Sequence, residues 1–444
     1  MNPAEDQTSS IPDNWMMKTI GDLASYVRGV TYDKSLSRTS PAKGYTPLLR
    51  ATNIDSGALI LEDFVYVPED IVKAEQLLQI GDLVIAASSG SSSVVGKSAP
   101  IVTDFSGTFG AFCAVIRADL AISNKFLGYY IQSPSVRELW SSLARGTNIN
   151  NLKRDQVCST PIAVPPRNEQ DEIVRILEEQ FSRLDAAAAS IAAVRRKADQ
   201  FRRSVLHAAF TGRLTQHGTR RVTVELSANS VVLPSGWTSR QLGDCGDWIG
   251  GGTPSKSNEK FWTNGTIPWL SPKDMGPTVI SETQDKITPD ALQGSATALV
   301  ASNSVAVVVR SGILERRLPA ALVPFETTLN QDMKALEVRG DILPKWVLYA
   351  LHAFNHEILA ECRKAGTTVA SIEFPRLRMY EIPVAPPDEQ QEVVRLLEEQ
   401  FSRQEAILTV ADAADRKVAA LRRSLLHAAF SGELTKEWRE KNNG

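Results

Sequence analysis

The chain is poor in the residues that carry most metal and disulfide chemistry. It has four cysteines and five histidines in 444 residues. The cysteines stand singly, with no CxxC pair, at Cys113, Cys158, Cys245 and Cys362. This spacing argues against a disulfide framework or a zinc ribbon, and it favours a reducing cytoplasm.

Long apolar runs and a basic surplus are also missing. No stretch of about 18 apolar residues occurs, so no membrane span is expected, and the polar N-terminus does not resemble a secretory signal. The 49 lysines and arginines are balanced by 51 aspartates and glutamates, for a net charge of -2. Proteins that neutralise phosphates usually carry a basic surplus. Composition alone therefore gives nucleic-acid binding no support, and any such contact must come from local basic patches.

Two glycine-rich stretches resemble nucleotide-binding loops but depart from their spacing. In GSSSVVGKS, Gly90 to Ser98, the two glycines are separated by one residue more than a P-loop allows. GGGTPSKSNEKFW, Gly250 to Trp262, lacks the glycine spacing and the following helix of a dinucleotide site. Both stretches fit better as loops that face a partner. Since Walker A, amino-methyltransferase and nuclease signatures are also missing, we expect a non-catalytic chain.

What the chain does contain is one unit written twice. Ile162–Thr215 aligns without gaps with Ile382–Thr435, and more than half of the positions are identical. RILEEQFSR at Arg175 returns as RLLEEQFSR at Arg395. A segment of different sequence precedes each copy, so the order is variable domain, similar segment, variable domain, similar segment.

The similar segments have the pattern of long helices. Asn168 and Asp388 follow prolines and are expected N-caps, and Gly212 and Gly432 are expected to end the helices. Apolar or alanine residues recur at steps of three and four, which is typical of a coiled-coil seam. The predicted seam includes these residues of the two copies: Leu177, Phe181, Phe201, Val205 and Ala208, and Leu397, Phe401, Leu421, Leu425 and Ala428. A helix of about 43 residues would be roughly 65 Å long.

Because one helix cannot cover its own apolar stripe, we expect the two helices to pack on each other. A pseudo-two-fold relation between the repeats would make them antiparallel, with the variable domains toward opposite ends. The variable domains, about 14–160 and 236–380, show strand-like runs at Leu83–Gly90 and Ser304–Gly312 together with helical stretches. The predicted fold class is α+β: two domains of mixed strands and helices, separated by two long antiparallel coiled-coil-like helices in a pseudo-two-fold repeat.

Histidine and arginine recur at the end of each helical copy. FRRSVLHAAFTGRLT begins at Phe201 and returns as LRRSLLHAAFSGELT at Leu421. No second metal ligand or orienting acid accompanies His207 or His427, so metal binding and catalysis are disfavoured. Core packing alone does not require the neighbouring arginines to recur, whereas a surface offered twice to one kind of partner does.

Short motifs of the repeats resemble the specificity subunit of Type I restriction–modification systems. They are VPPRNEQDEIV from Val164 and VAPPDEQQEVV from Val384, followed by AAFTGRL from Ala208 and AAFSGEL from Ala428. Each variable domain also opens with W-x(5)-GD, at Trp15 and Trp237. The resemblance covers nearly the whole chain, and the order and doubling of the motifs make it specific.

The resemblance implies a sequence-specific, non-catalytic DNA-binding subunit. Each variable domain would be a target recognition domain that reads one half of a bipartite, asymmetric target in double-stranded DNA. The helices would set the spacing and dock two methyltransferase (modification) subunits that carry S-adenosylmethionine, and two restriction/translocase subunits that use ATP and Mg can join. The chain itself would bind no cofactor or metal, and the complex would be cytoplasmic. The implied segments are 1–160 for the first recognition domain, 161–232 for the central spacer, 233–380 for the second domain and 381–444 for the C-terminal spacer.

Candidate contacts follow from loop chemistry. The second domain has a basic loop, RSGILERR from Arg310, where the first has the polar SSGSSSVVGK, so the family's arginine is missing there. The expected DNA-binding residues of the first domain are Lys34, Arg50, Ser89, Lys97, Thr147 and Asn148. Those of the second domain are Lys256, Lys273, Arg310, Arg316, Arg317 and Thr367. The expected partner-docking residues are Arg202, Arg203, His207 and Phe210, with their counterparts Arg422, Arg423, His427 and Phe430.

Two alternatives stay open. Within DNA biology, the chain would serve methylation alone, without a nuclease partner. In a different class, it would be a coiled-coil scaffold that links two non-DNA ligand-binding domains, an alternative that the balanced net charge permits.

Overall fold

The computed structural model describes residues 11–55, 57–91, 93–144, 150–215, 220–226, 229–364 and 369–442. The chain forms two compact units, each built from one variable domain and parts of both long helices. The first unit combines the chain up to Ala192 with the part from Asp412 onward, and the second spans Ala193–Ala411. No helix among the described residues has an apolar stretch of the length and hydropathy needed to cross a bilayer.

Strands in the first domain form two sheets and three strand pairs. Its four-stranded antiparallel sheet has the order Ala24–Arg28, Cys113–Ala118, Leu83–Ala86 and Ser98–Pro100. Its three-stranded sheet has the order Thr108–Phe109, Tyr45–Leu49 and Val65–Pro68, in which the first two strands are parallel. The pairs are Met16–Thr19 with Pro161–Val164, Ser88–Ser89 with Asn150–Asn151, and Ile54–Asp55 with Ala58–Leu59. Its helices are Asn124–Gln132, Pro134–Leu143 and Arg154–Cys158.

The second domain repeats this architecture. Its first sheet has the order Gly246–Gly250, Met333–Val338, Ser304–Val308 and Ala320–Val323. Its second sheet has the order Asp285–Ile287, Ile267–Leu270, Thr327–Leu329 and Leu299–Val300, in which the middle two strands are parallel. Thr238–Gln241 pairs with Glu381–Val384. Its helices are Pro289–Gln293, Pro344–Ala353, Asn355–Cys362 and Phe374–Met379.

A β-hairpin joins the central helix to the second domain. It pairs Arg221–Leu226 with Asn229–Pro234. Its valine-rich sequence favours extended backbone, so the last part of segment 161–232, expected to be helical spacer, is not helical. Leu233 of the hairpin is fully buried in the core of the second unit.

The central strand of each domain is buried on both faces, which explains its unbroken apolar run. In Ser304–Val308, Val305 and Val307 belong to the core shared with the helices, whereas Ala306 and Val308 belong to the core facing the second sheet. Successive side chains of a strand point to opposite faces, so one strand serves two cores.

The long helices span Arg167–Phe210 and Pro387–Ser431. Both begin one residue before the expected N-caps Asn168 and Asp388, so those two predictions are wrong. Proline is favoured at the first helical position because its missing N–H has no helical acceptor there, and this accounts for the start of the second helix.

Glycine ends both helices, as expected. Gly212 and Gly432 adopt left-handed backbone, with φ of +61° and +82°. An arginine then caps each end: Arg221 Nη2 donates to the Gly212 carbonyl at 2.9 Å, and Arg439 Nη2 donates to the Gly432 carbonyl at 2.7 Å. The two arginines come from unrelated elements, a hairpin and a short helix, Lys436–Asn442.

In the first unit the two helices run antiparallel. Thr435 Oγ1 donates to Glu169 at 2.7 Å. Further along, Arg422 Nη2 donates to Asp185 at 2.6 Å, and its guanidinium lies 4.4 Å from the ring centroid of Phe181. Residue numbers rise on one helix as they fall on the other, which confirms the antiparallel prediction.

The second unit repeats this packing with the roles of the helices exchanged. Gln404 Nε2 donates to the Ala198 carbonyl at 2.6 Å, and the Arg202 guanidinium lies 3.9 Å from the ring centroid of Phe401. Burial between these helices lowers the pKa of the Arg202 guanidinium. Arg202 and Arg422 thus occupy equivalent interhelical positions.

The predicted seam is wrong at Phe201 and Leu421, although Val205, another predicted member, is buried. Phe201 and Leu421 are 44% and 43% exposed, whereas Leu206 and Ala209 are buried. A straight helix drifts relative to a 3.5-residue repeat, and the last turns pack against the adjoining domain as well as the other helix. The side of each helix that faces the other helix therefore includes Arg202 and Arg422, the residues directly after Phe201 and Leu421.

Candidate functional site

The polar loop of the first domain, Ser88–Lys97 (loop 1), is held in place by a helix residue. Arg137 Nη1 donates to the Val95 carbonyl at 3.1 Å, and Nη2 donates to the Ser93 carbonyl at 3.3 Å. Burial lowers the pKa of the Arg137 guanidinium. Gly96 is needed where the loop turns, because its φ is +75° and a Cβ there would crowd Arg137 and Trp140. The part of loop 1 from Ser93 to Gly96 is thus packed against a helix.

The short strand that begins loop 1 carries neutral side chains. Ser88 Oγ donates to Asn151 Oδ1 at 2.6 Å, and Ser88–Ser89 pairs with Asn150–Asn151 as two short antiparallel strands. Ser89, a predicted DNA contact, lies in this pair and is partly exposed.

The basic loop of the second domain, Arg310–Arg317 (loop 2), is held by contacts with the core and with a neighbouring helix. Leu314 is fully buried, and the Asn355 side chain donates to the Leu318 carbonyl at 3.1 Å. Arg310, Arg316 and Arg317 are exposed, and the structure shows them no ion-pair partner among the residues that it describes. The loop therefore holds three cations on a rigid base, as a surface that binds anions or guanine requires.

The two loops occupy the same place in their domains. In the first domain the N–H groups of Ala87 and Ser88 both donate to the Phe112 carbonyl, at 2.9 and 3.0 Å. In the second, the N–H groups of Val309 and Arg310 donate to the Asp332 carbonyl, at 2.8 and 3.2 Å. Ser88 thus stands where the second domain has Arg310.

The other predicted DNA contacts lie in different settings. Lys34 and Lys256 are exposed. Lys97 lies 3.5 Å from Asp55, and Lys273 lies 2.8 Å from Asp285, whose hydrogen bond raises the pKa of the Lys273 ammonium. Arg50 Nη2 donates to the carbonyl of Asp63 at 2.8 Å, so Arg50 braces its own loop. The remaining three, Thr147, Asn148 and Thr367, lie outside the described residues.

The predicted docking residues separate into buried and exposed groups. Phe210 is fully buried, with its ring centroid 4.7 Å from that of Trp346. Phe430 packs on Phe126 and Tyr130, with centroids 5.3 and 5.2 Å apart. These phenylalanines join the helices to their domains. Predicting the fully buried Phe210 as a docking residue was wrong, whereas Phe430 is partly exposed and its docking role stays a prediction.

The arginines of the motif are divided in the same way. Arg202 and Arg422 are engaged between the helices and remain partly exposed, so their docking role stays a prediction. The exposed remainder of the docking motif is Arg203, His207, Arg423 and His427. Among the described residues no group of three His, Cys, Asp or Glu, with or without His207 or His427, is placed to hold a metal ion.

Sequence reasoning missed a glutamate at the start of each helix, the buried Glu169 and the partly buried Glu389. Glu389 accepts hydrogen bonds from Thr215 Oγ1 at 2.8 Å and from Trp237 Nε1 at 2.9 Å. The available signal was the repeated Glu-Gln pair together with the repeated Thr and Trp. Each glutamate ties the start of one helix to the loop after the other.

Glu169 makes the equivalent tie in the first unit with an added cation. It accepts from Thr435 Oγ1 and from Arg439, whose side chain is 13% exposed against 1% for the glutamate. The Arg439 guanidinium also lies 5.9 Å from the Trp15 ring centroid.

The chain thus contains two copies of one α+β domain, each with an exposed loop at the same position and each packed against the paired long helices. This duplicated arrangement defines the class of the protein. The family model for the Type I restriction modification DNA specificity domain matches residues 12–194 and 234–409. The chain belongs to this family of specificity subunits, which are non-catalytic, and the family gives no support to the scaffold alternative.

Known relatives agree with this assignment. The specificity subunit of Type I restriction enzyme EcoR124I/EcoR124II from Escherichia coli is 36% identical over 62% of this chain and 62% of its own length. The EcoKI specificity subunit from Escherichia coli K12 is 28% identical over 97% of this chain and 92% of its own length.

Solved structures share the fold at low sequence identity. A chain from a study of complex assembly and conformational transition of the type I R-M system is 20% identical, with a TM-score of 0.71 over 96% of this chain and 100% of that one. The HsdS subunit from Thermoanaerobacter tengcongensis is also 20% identical, with a TM-score of 0.50 over 97% of this chain and 100% of that one.

Proposed function

We propose that each domain reads one half of a bipartite, asymmetric DNA target. The observation that carries this proposal is the pair of equivalent loops with different chemistry. Loop 2 offers three exposed arginines, and arginine suits bidentate contact with guanine or phosphate. Loop 1 offers Ser88 and Ser89 at the same place, paired with Asn150 and Asn151. Readers of one design with unlike side chains would recognise unlike sequences.

The proposed contacts comprise the twelve residues named in the sequence analysis, with the arginines of loop 2 as the principal readers. The balanced net charge fits this arrangement, because the positive charge is concentrated locally rather than spread over the chain. The segments 1–160 and 233–380 would be the recognition domains, and the segments after them would set the distance between the half-sites, near one helical turn.

Partners and cofactors follow from the same proposal. Two modification subunits carrying S-adenosylmethionine would dock on the repeated helix ends, and two restriction subunits using ATP and Mg would complete the complex. Without the restriction subunits, the assembly would serve methylation alone. Because DNA is the substrate and all four cysteines are unpaired, we place the complex in the cytoplasm.

Changing Arg310 and Arg316 together to alanine should relax one half of the target. Losing a bidentate base contact removes discrimination worth about 1–3 kcal/mol, so several bases become tolerated at the affected position. The measurement is the map of methylated adenines in cells that express the chain with its modification partner.

Arg339→Ala is the matched control for this test. Arg339 is an exposed arginine of the same domain that pairs with Asp247, and it follows the strand Met333–Val338 whose other end meets loop 2. It should leave both half-sites intact. If the double variant of loop 2 keeps its affinity and its target, the loop is not a reader.

Changing Arg203 and His207 together to alanine should weaken one of the two docking sites. Both residues are exposed on the central helix, while their counterparts Arg423 and His427 remain on the other. Native mass spectrometry should show complexes with a single modification subunit, and the preferred DNA sequence should not change. Arg183→Ala, at a surface position of the same helix paired with Glu179, is the control. If the double variant still binds two modification subunits, Arg203 and His207 have no docking role.

A further inference from the structure

An exposed aromatic ring stands at the reading face of the first domain. Phe112 is 63% exposed, although its neighbours Phe109 and Cys113 are buried. The Cys113 N–H donates to the Gly110 carbonyl at 2.7 Å, which closes a tight turn around Phe112. The ring is therefore presented to solvent by a backbone that is fixed.

The position of Phe112 places it beside loop 1. Its carbonyl accepts both the Ala87 and the Ser88 N–H groups, and Ser88 is the counterpart of Arg310. Single exposed apolar residues are common on protein surfaces, but this one is tied to the backbone of the loop that we propose to read DNA.

Among the described residues, the strands paired beside the Phe112 backbone carry hydroxyl and amide groups, and the cations Lys153 and Arg154 follow them in the chain. Ser88, Ser89, Asn150 and Asn151 are neutral, and Arg137 is turned to the carbonyls beneath the loop. An apolar ring among hydroxyl and amide groups matches a thymine–adenine pair: the thymine 5-methyl group accepts apolar contact, and asparagine suits adenine.

We propose that Phe112 determines specificity in the first half-site by packing against the 5-methyl group of a thymine. This inference rests on the proposed function of the domain. It assigns an A·T pair to the position that Phe112 faces, whereas Arg310 in the second domain suits guanine.

The test removes the methyl group without changing the base pairing. Once the methylated target is mapped, duplexes carry deoxyuridine in place of each thymidine of the half-site that the loop 2 variant leaves intact. Binding is measured with the assembled complex of this chain and its modification subunits. At one position deoxyuridine should weaken binding about fourfold, the effect of exposing one buried methyl-sized group.

Phe112→Ala should produce a similar loss on the thymidine duplex and no further loss on the deoxyuridine duplex, because both changes remove the same contact. Phe112→Leu, which keeps an apolar side chain, should retain part of the sensitivity. Leu120→Ala is the control: Leu120 is fully exposed and follows the strand Cys113–Ala118 at the end away from Phe112.

The outcomes separate this inference from the function beneath it. A complex that methylates no bipartite target would refute the proposed function. A bipartite target in which no thymine responds to deoxyuridine would overturn the role of Phe112 and leave the function standing. The same holds if Phe112→Ala keeps full deoxyuridine sensitivity, weakens every duplex equally or impairs assembly.

Discussion

Phe210→Ala should lower the free energy of unfolding of the second unit by about 3–5 kcal/mol, the usual effect of removing a buried phenylalanine ring. The Phe210 side chain is fully buried and packs against Trp346 and Phe354, with ring centroids 4.7 and 6.0 Å away. These contacts join the last turn of the central helix to the helices of the domain. The measurement is native-state hydrogen exchange of the amides in the buried strand Ser304–Val308.

Phe201→Ala is the matched control. It makes the same chemical change nine residues earlier in the same helix, at a side chain that is 44% exposed. Its effect should stay within about 0.5 kcal/mol, as for most surface substitutions. If both variants lower the free energy of unfolding equally, the packing described for the last turns is wrong, and Phe201 is buried as the sequence pattern predicted.

Arg439→Ala should destabilise the first unit by about 3–5 kcal/mol, because it leaves the Glu169 carboxylate buried without its cation. The glutamate side chain is 1% exposed, and Thr435 Oγ1 is the other close donor to the same oxygen. The arginine also caps Gly432 at the end of the C-terminal helix. Protection of the amides in Leu83–Ala86 against hydrogen exchange should fall accordingly.

Two comparisons separate the buried charge from the loss of an arginine in general. Arg395→Ala removes the same side chain from a surface pair with Glu399, whose members are 59% and 44% exposed, and should cost less than about 1 kcal/mol. Glu169→Gln combined with Arg439→Met leaves no charge buried and should be less destabilising than Arg439→Ala alone. If the three variants are equally stable, the buried pair contributes nothing.

Much of the architecture could be predicted from patterns that act locally. The repeat, the two long helices and their ends at Gly212 and Gly432 follow from sequence spacing and from the left-handed backbone that glycine allows. The buried central strands can be predicted from their continuous runs of apolar residues. The difference between loop 1 and loop 2 is also written in their residue types.

Other features depend on contacts between residues far apart in the chain. Nothing near Arg202 in the sequence indicates that it lies over Phe401, or that Phe210 is enclosed by Trp346 rather than offered to a partner. The role of Phe112 was equally hidden, because its position beside Ser88 comes from pairing across the sheet.

The sequence by itself determined that this protein is a duplicated pair of domains carried on two long helices, since periodicity, glycine stops and repeated motifs are properties of neighbouring residues. Only the tertiary structure decided which side chains of the repeated motif are buried and which remain exposed. A helix presents every side of its surface, and the choice of the covered side belongs to the domain and the partner helix that pack against it.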